Sequence, residues 1–432
     1  YSNIKKLYFR HKACFIIRQK LFKKRGGMSG PLKGYRVLEL TSTVSGPFAA
    51  MMLADQGADV IKVEPPGIGD LARVMGTVKQ GVGAMFSVLN RNKRCVCLDL
   101  KNPEEIKILK DLIKDADVLI ENYRPGVVKK LGIDYESVSK INPKIVYTSI
   151  SGYGQSGPYQ NRKVYDPLIQ ATTGIAHAQN KEKPELVRTI IYDKVTALTA
   201  AQAITSALLQ KEREGKGQFL SISMMESALY YNWPDMMMTQ TFFEGGEQIG
   251  ELADLFEIYE TKDGAVMIIL IATDEVFTKF CNIYDLNLHK DERFINPAAR
   301  VINQSLLTPL VNEATKKLSS NELVNKLDEE EIPASIVNKI DEVYKDEQVL
   351  SQESLVEINH PELGKMRMPK PPATFIGQKN FPSSLAPILG ADTREVLTEL
   401  GVEEKKIQSM EEREKANKEI IEAMMAAEES NS

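Results

Sequence analysis

At 432 residues the chain has room for roughly two or three domains and a large buried core. Apolar residues make up 43% and charged residues 26%, the balance of a globular protein, and a net charge of −4 lacks the basic excess of a nucleic-acid binder. No apolar stretch reaches the ~18 residues of a membrane span, so neither nucleic acid nor membrane is expected as a partner.

The stretch before Glu39 carries no acid, while nine Lys and Arg between Lys5 and Arg25 alternate with aromatics and Ile. This fits an organelle-targeting presequence and, with it, a mitochondrial address. Met28-Ser29-Gly30-Pro31-Leu32 is an alternative start, with a cytoplasmic or peroxisomal address. Residues 1–32 are therefore read as a basic extension.

From residue 33 short apolar runs alternate with helical segments. The strand candidates are Val37–Leu40, Val60–Val63, Cys95–Leu98, Val118–Glu121, Ile145–Ile150 and Phe219–Ser223. Between the first two, Gly46-Pro47 can open a helix of small residues that stops at Gly57, making a β-α-β unit. Pro103-Glu104-Glu105 opens another helix, with acids at its positive end. This alternation predicts an α/β fold with a mostly parallel sheet. Cys95 and Cys97 lie two apart on a strand, and with Cys14 and Cys281 they form no disulfide framework; they are read as reduced thiols. The four histidines have no metal-ligand spacing, so no metal is expected.

A long helix is predicted from Asp193 to about Arg213, ending at Gly215-Lys216-Gly217, and a second from about Met224 to Thr241. The residues by themselves make Asp193 a helix N-cap. Past Gly245-Gly246, the apolar runs on either side of Lys262-Asp263-Gly264 signal a hairpin. Helices at about Asp274–Tyr284 and Ser305–Lys317 and a strand at Ile332–Val337 complete a smaller α+β domain over 250–345. His360-Pro361-Glu362-Leu363-Gly364 is a turn in a returning β segment. Residues 346–432 are read as a return to the first domain and a helical tail.

Four motifs stand out in order: Leu89-Asn90-Arg91-Asn92-Lys93-Arg94, Glu121-Asn122-Tyr123-Arg124-Pro125-Gly126, Tyr153-Gly154-Gln155-Ser156-Gly157-Pro158, and Ala386-Pro387-Ile388-Leu389-Gly390-Ala391-Asp392-Thr393. With the β-α-β unit, Gly215-Lys216-Gly217-Gln218 and Ile332-Pro333, they resemble the family III coenzyme A transferases from Lys33 to about Met410. That group includes the formyl-CoA, carnitine-CoA and succinate–glutarate CoA-transferases, and α-methylacyl-CoA racemases share its fold.

The resemblance implies a Rossmann-like CoA-binding large domain over 33–249, the small domain, and an interlocked homodimer. It makes Asp193 the nucleophile, some thirty residues after Lys163-Val164-Tyr165. It implies that Lys93, Arg94, Asn122, Tyr123, Arg124, Lys130, Lys163 and Tyr165 bind CoA. No cofactor is held permanently; CoA thioesters and free carboxylic acids are the substrates. Helix-terminal N–H groups are expected to keep Asp193 ionised, as a nucleophile requires. Tyr165 stands where the racemase carries His, and a phenol is a poor base near neutrality. His177 is read as a packed or exposed histidine. Val44 and Ser42 replace the Gln and His of formyl-CoA transferases, which argues against formyl or oxalyl specificity. The family's Gly before the aspartate is Tyr192 here, and its glycine-rich loop is reduced to Gly245-Gly246. The rival readings are an acyl-CoA racemase or isomerase and a catalytically silent CoA-binding protein. A nicotinamide dehydrogenase is disfavoured, since no Gly-x-Gly-x-x-Gly follows the first strand.

Overall fold

The structure is a computed structural model and describes residues 29–431 except 81, 247–252, 254–255, 271–272, 361–362, 378–381 and 383. Nearly all of the basic extension, and Pro361-Glu362 of the expected turn, thus lie outside the described residues. The chain divides into two compact units, one ending at Tyr231 and resuming at Ser354, the other formed by Asn232–Glu353.

The first unit is built on six strands: β1 Arg36–Leu40, β2 Asp59–Glu64, β3 Lys93–Cys97, β4 Val118–Glu121, β5 Val146–Ser151 and β6 Gln218–Ser223. Their order is β3-β2-β1-β4-β5-β6 and every pairing is parallel. This is the doubly wound order, which reverses between β1 and β4 and opens a crevice at the carboxyl ends of those strands. The five strands β1–β5 bury both faces, while the edge strand β6 leaves Phe219 and Ser221 exposed. Leu38, Leu40, Leu119 and Tyr147 pack into one core, and Val37, Val118, Ile120 and Val146 into the other.

Helix α1 (Ser45–Asp55) returns the chain from β1 to β2. A Cβ on Gly46 would lie 2.3 Å from the Thr41 side chain, so only glycine allows this tight entry. Helix α2 (Pro103–Lys114) has Asn102 as its cap, accepting the Glu104 N–H at 3.0 Å. After α3 (Asp166–Thr172), the 24-residue α4 (Ile191–Glu214) buries Ala197, Ala200, Ala201, Ile204, Ala207 and Leu208. That spacing makes one helical face, and it packs beside the small residues of α1. The next helix spans Met224–Asn232 and stops well short of the expected Thr241. Pro234 is the cause, because proline disfavours helical backbone in the residue before it.

In the second unit, Glu257–Glu260, Ala265–Ile268 and Ala334–Ile336 form an antiparallel sheet with the hairpin turn at Thr261–Gly264. Helices Asp274–Ile283, Gln304–Thr315 and Ser320–Glu329 cover it. The chain then returns to the first unit through a hairpin, Leu355–His360 with Gly364–Pro369. Asp392 and Thr393 close the β3 edge of the parallel sheet. Their side chains accept the Cys95 and Cys97 N–H groups at 2.8 and 3.0 Å. Both thiols are buried and free.

The centre of the sheet holds a buried ionic network. Lys62 Nζ meets Glu39, Asp70 and the Thr41 carbonyl, each at 2.8 Å. Lys93 Nζ meets Glu39 and the Pro47 carbonyl at 2.8 Å and Asn90 Oδ1 at 2.7 Å. Arg73 forms two 2.8 Å bonds to Glu64. Asp70 also accepts the Thr43 N–H at 2.9 Å, and Thr43 has a φ of 73°. The network therefore holds the loop beside the crevice in a backbone conformation that threonine rarely adopts. Removing one partner strands buried charges. A K62M variant is expected to lose about 3–5 kcal/mol, which thermal unfolding beside the parent measures.

Candidate functional site

Asp193 is the third residue of α4, not its N-cap; that position is Ile190, whose side chain makes no capping bond. The cap comes from Asp166. Its Oδ2 accepts the N–H groups of Tyr192 at 2.5 Å and Asp193 at 3.1 Å. Its Oδ1 accepts Gln170 Nε2 at 2.6 Å. Gln170 also accepts the Val187 N–H at 2.9 Å and donates to the Thr189 carbonyl at 3.0 Å, so the approach to α4 is pinned to α3. Asp166 and Gln170 are each 1% exposed.

The electrostatics follow from this arrangement. The α4 amides serve Asp166, while the Asp193 carboxylate is stabilised by the Ser45 hydroxyl and N–H at the start of α1. Burial, followed by the nearby Asp166 charge, raises the Asp193 pKa to about 6 against those two bonds. The expectation that its own helix start would keep Asp193 ionised is corrected. A second carboxylate took those amides, and the helix start facing Asp193 belongs to α1.

The expected CoA residues divide into two groups. Lys93 and Arg94 do not offer charge to a ligand. Lys93 is 1% exposed inside the ionic network, and burial, with the Lys62 charge, pushes it down to about 8 despite Glu39. Arg94 is buried against Asp59 at 2.6 Å and Glu399 at 3.0 Å. Asp59 opens β2, so this pair lies at the amino end of the strands, away from the crevice. Both cations lie on strand β3, where sheet and helices cover them.

Of the other candidates, Asn122, Tyr123 and Arg124 follow β4, Lys130 is on the short helix Val127–Leu131, and Lys163 and Tyr165 precede α3. Asn122 bridges the crevice, accepting the Ser42 N–H at 3.1 Å and donating to the Ser42 carbonyl at 3.0 Å. Tyr123 is half-buried, whereas Arg124, Lys130 and Lys163 are exposed. Tyr165 is 66% exposed and leads straight into Asp166. His177 is exposed on a short helix. Sequence reading missed Asp166, Gln170 and Ser45. Asp166 adjoins the Lys163-Val164-Tyr165 motif, and that adjacency was the available signal.

The CoA-transferase family III model matches residues 32–393. The chain belongs to this family. It is 32% identical over 402 residues to succinyl-CoA:glutarate CoA-transferase of Homo sapiens, covering 88% of this chain and 91% of that protein. It is also 32% identical over 401 residues to formyl-CoA:oxalate CoA-transferase of Bradyrhizobium diazoefficiens, covering 86% and 93%. Among solved structures, a CAIB/BAIF family protein from Brucella suis superposes with a TM-score of 0.77 at 31% identity, covering 86% of this chain and 100% of that one. The chain is therefore a CoA-transferase, and it moves CoA between acyl-CoA thioesters and acids. Among the described residues no helix is long and apolar enough to cross a membrane.

A carboxylate whose pKa lies near 6 loses its negative charge as pH falls through that value. The rate of CoA exchange should therefore fall below about pH 6, following the Asp193 pKa. D166N removes the neighbouring negative charge, so the acid limb should move to lower pH. A pH–rate profile of both proteins checks the direction.

Proposed function

We propose that this CoA-transferase works through Asp193 and takes a dicarboxylic acid as acceptor. The observation that carries the mechanism is the Asp193 carboxylate itself. It is largely ionised at neutral pH, yet more basic than an ordinary aspartate, and it receives two donors from Ser45. A carboxylate of that kind can attack a thioester.

CoA moves in four nucleophilic attacks. An Asp193 oxygen adds to the acyl carbon of the donor, the C–S bond breaks, and CoA leaves as thiolate with a mixed anhydride on the enzyme. The thiolate attacks the aspartyl carbonyl, releases the donor acid, and leaves an aspartyl-CoA thioester. The acceptor carboxylate attacks that thioester, expels the thiolate and forms a second anhydride. Attack of the thiolate on the acceptor's acyl carbon frees Asp193 and the new acyl-CoA. During attack at the aspartyl carbonyl, the Ser45 N–H and hydroxyl would take up developing oxyanion charge.

CoA's phosphates need cations that are not already paired. Arg124, Lys130 and Lys163 meet that need, with Asn122, Tyr123 and Tyr165 along the path; Lys93 and Arg94 do not. The dicarboxylate acceptor is supported by the succinate and glutarate named for the human relative. Val44 and Ser42 keep the formyl and oxalyl reading in second place. An exposed phenol at Tyr165 speaks against racemisation, which needs a second base. The interlocked homodimer belongs to the same proposal, supported by Leu198 and Leu209, which stand 55% and 53% exposed on α4, and by Tyr230 at 85%. The acid-free basic stretch before Glu39 supports a mitochondrial address.

D193A should abolish exchange between succinyl-CoA and glutarate while the circular dichroism stays that of the parent. Hydroxylamine added during turnover should convert the Asp193 side chain to a hydroxamate, visible by peptide mass spectrometry. Exchange by D193A within tenfold of the parent would remove Asp193 from the mechanism. Sedimentation of the parent should give the mass of a dimer.

A further inference from the structure

A cleft of about 310 Å³ lies against one face of β4, β5 and β6, at the small end of the range for ligand pockets. Tyr123, Tyr135, Tyr147 and Phe219 form its aromatic walls. Tyr135, Tyr147 and Phe219 pack mutually, with ring centroids 5.4–5.9 Å apart. Glu121 lines the cleft although it is only 2% exposed. Side chains alternate along β4, so Glu121 shares the face of Leu119, while Ile120 packs toward α4. The cleft is therefore across the sheet from the helix that carries Asp193.

Glu121 differs from the other buried acids of the sheet. Glu39, Glu64 and Asp117 each meet a Lys or Arg at 2.8 Å. Among the described residues Glu121 forms no ion pair. The Tyr123 N–H donates to it at 2.9 Å and the Ser149 hydroxyl also donates, with Gln155 Nε2 behind Ser149 at 2.9 Å. Burial raises its pKa to about 7 against those two bonds. Buried carboxylates are normally paired with a cation, and aromatic faces attract organic cations. The charged groups facing the cleft from neighbouring elements are Arg124, Lys129, Asp134 and Glu136. Asp134 is engaged as a helix cap by Ser137, at 3.2 Å from its N–H and 2.9 Å from its hydroxyl.

We propose that this cleft binds a small organic ammonium compound with an anionic far end, the ammonium group against Glu121 and the aromatic walls and the anion toward Arg124 and Lys129. An ammonium group supplies the charge that Glu121 lacks, and an amino acid with separated termini satisfies both ends. The ammonium end lies across the sheet from Asp193, so the site is additional to the one there, although Tyr123 and Arg124 at its rim are shared with the proposed CoA path.

Calorimetry on the full chain tests this with 5-aminopentanoate, pentylamine and pentanoate as probes. The bound ammonium favours ionised Glu121, lowers its pKa and releases a proton. Affinity for 5-aminopentanoate and pentylamine should therefore rise several-fold from about pH 6 to about pH 8. E121Q should weaken both by on the order of tenfold or more at the higher pH and flatten the pH dependence. K129E should weaken 5-aminopentanoate but not pentylamine. F219A keeps Glu121 in place, and it should weaken both amines through the lost aromatic wall. Binding of pentanoate that matches 5-aminopentanoate and ignores E121Q would make this an anion site and overturn the proposal. Failure of both amines to bind would do the same. Loss of 5-aminopentanoate binding in D193A would place the amine at Asp193 and overturn an additional site.

Discussion

Six charges buried under the carboxyl ends of β1 and β2 set the conditions for the rest of the first unit. Glu39, Glu64 and Asp70 face Lys62, Lys93 and Arg73, so the network is neutral as a whole. Burial opposes charge at Glu39 and Glu64, but attraction to the cations prevails at both. Glu39 is held below its usual range by Lys62 and Lys93, and Glu64 falls to about 2 beside Arg73. An apolar cluster could fill the same space at less desolvation cost. The ionic network does something apolar packing cannot do, since directional bonds fix backbone atoms of the loops. Thr41, Thr43 and Pro47 are all tied to it, and these residues line the route from β1 into α1.

That route ends at Ser45, whose hydroxyl and N–H meet Asp193. The buried network thus acts on the Asp193 carboxylate through the position of α1. The second control on Asp193 comes from Asp166. Its two oxygens are engaged by Gln170 and by the first amides of α4. A fixed negative charge then sits beside Asp193 and raises its pKa. The same residue caps the helix and raises the Asp193 pKa, so the helix start cannot be altered without altering that carboxylate.

The parallel sheet separates two chemical environments. On one face, α4 carries Asp193. On the other, Glu121 and a group of aromatic rings surround a cleft. The loop after β4 spans both: Asn122 closes the crevice against Ser42, and Tyr123 and Arg124 line the cleft. A single tight turn with a left-handed Gly126 therefore serves two surfaces. The reversal of strand order between β1 and β4 makes room for this, because the loops there diverge to opposite faces.

The sequence by itself determined the strands of the parallel sheet to within a residue or two. Their β-branched and aliphatic runs, bounded by glycine and proline, have no other stable use. It also determined the family, because the order and spacing of several weak motifs are jointly specific. Tertiary structure alone decided which charges are available. Lys93 and Arg94 look like ligand-binding cations in the chain, yet each is matched to an acid 35 or more positions away. Asp193 looks like a helix cap, yet Asp166, 27 residues earlier, performs the capping and reverses the expected effect on its pKa. Glu121 reads as the polar end of an apolar strand, and only the fold shows that it faces a cleft and, among the described residues, forms no ion pair. Burial and ion pairing depend on groups distant in sequence, and local pattern carries no record of them.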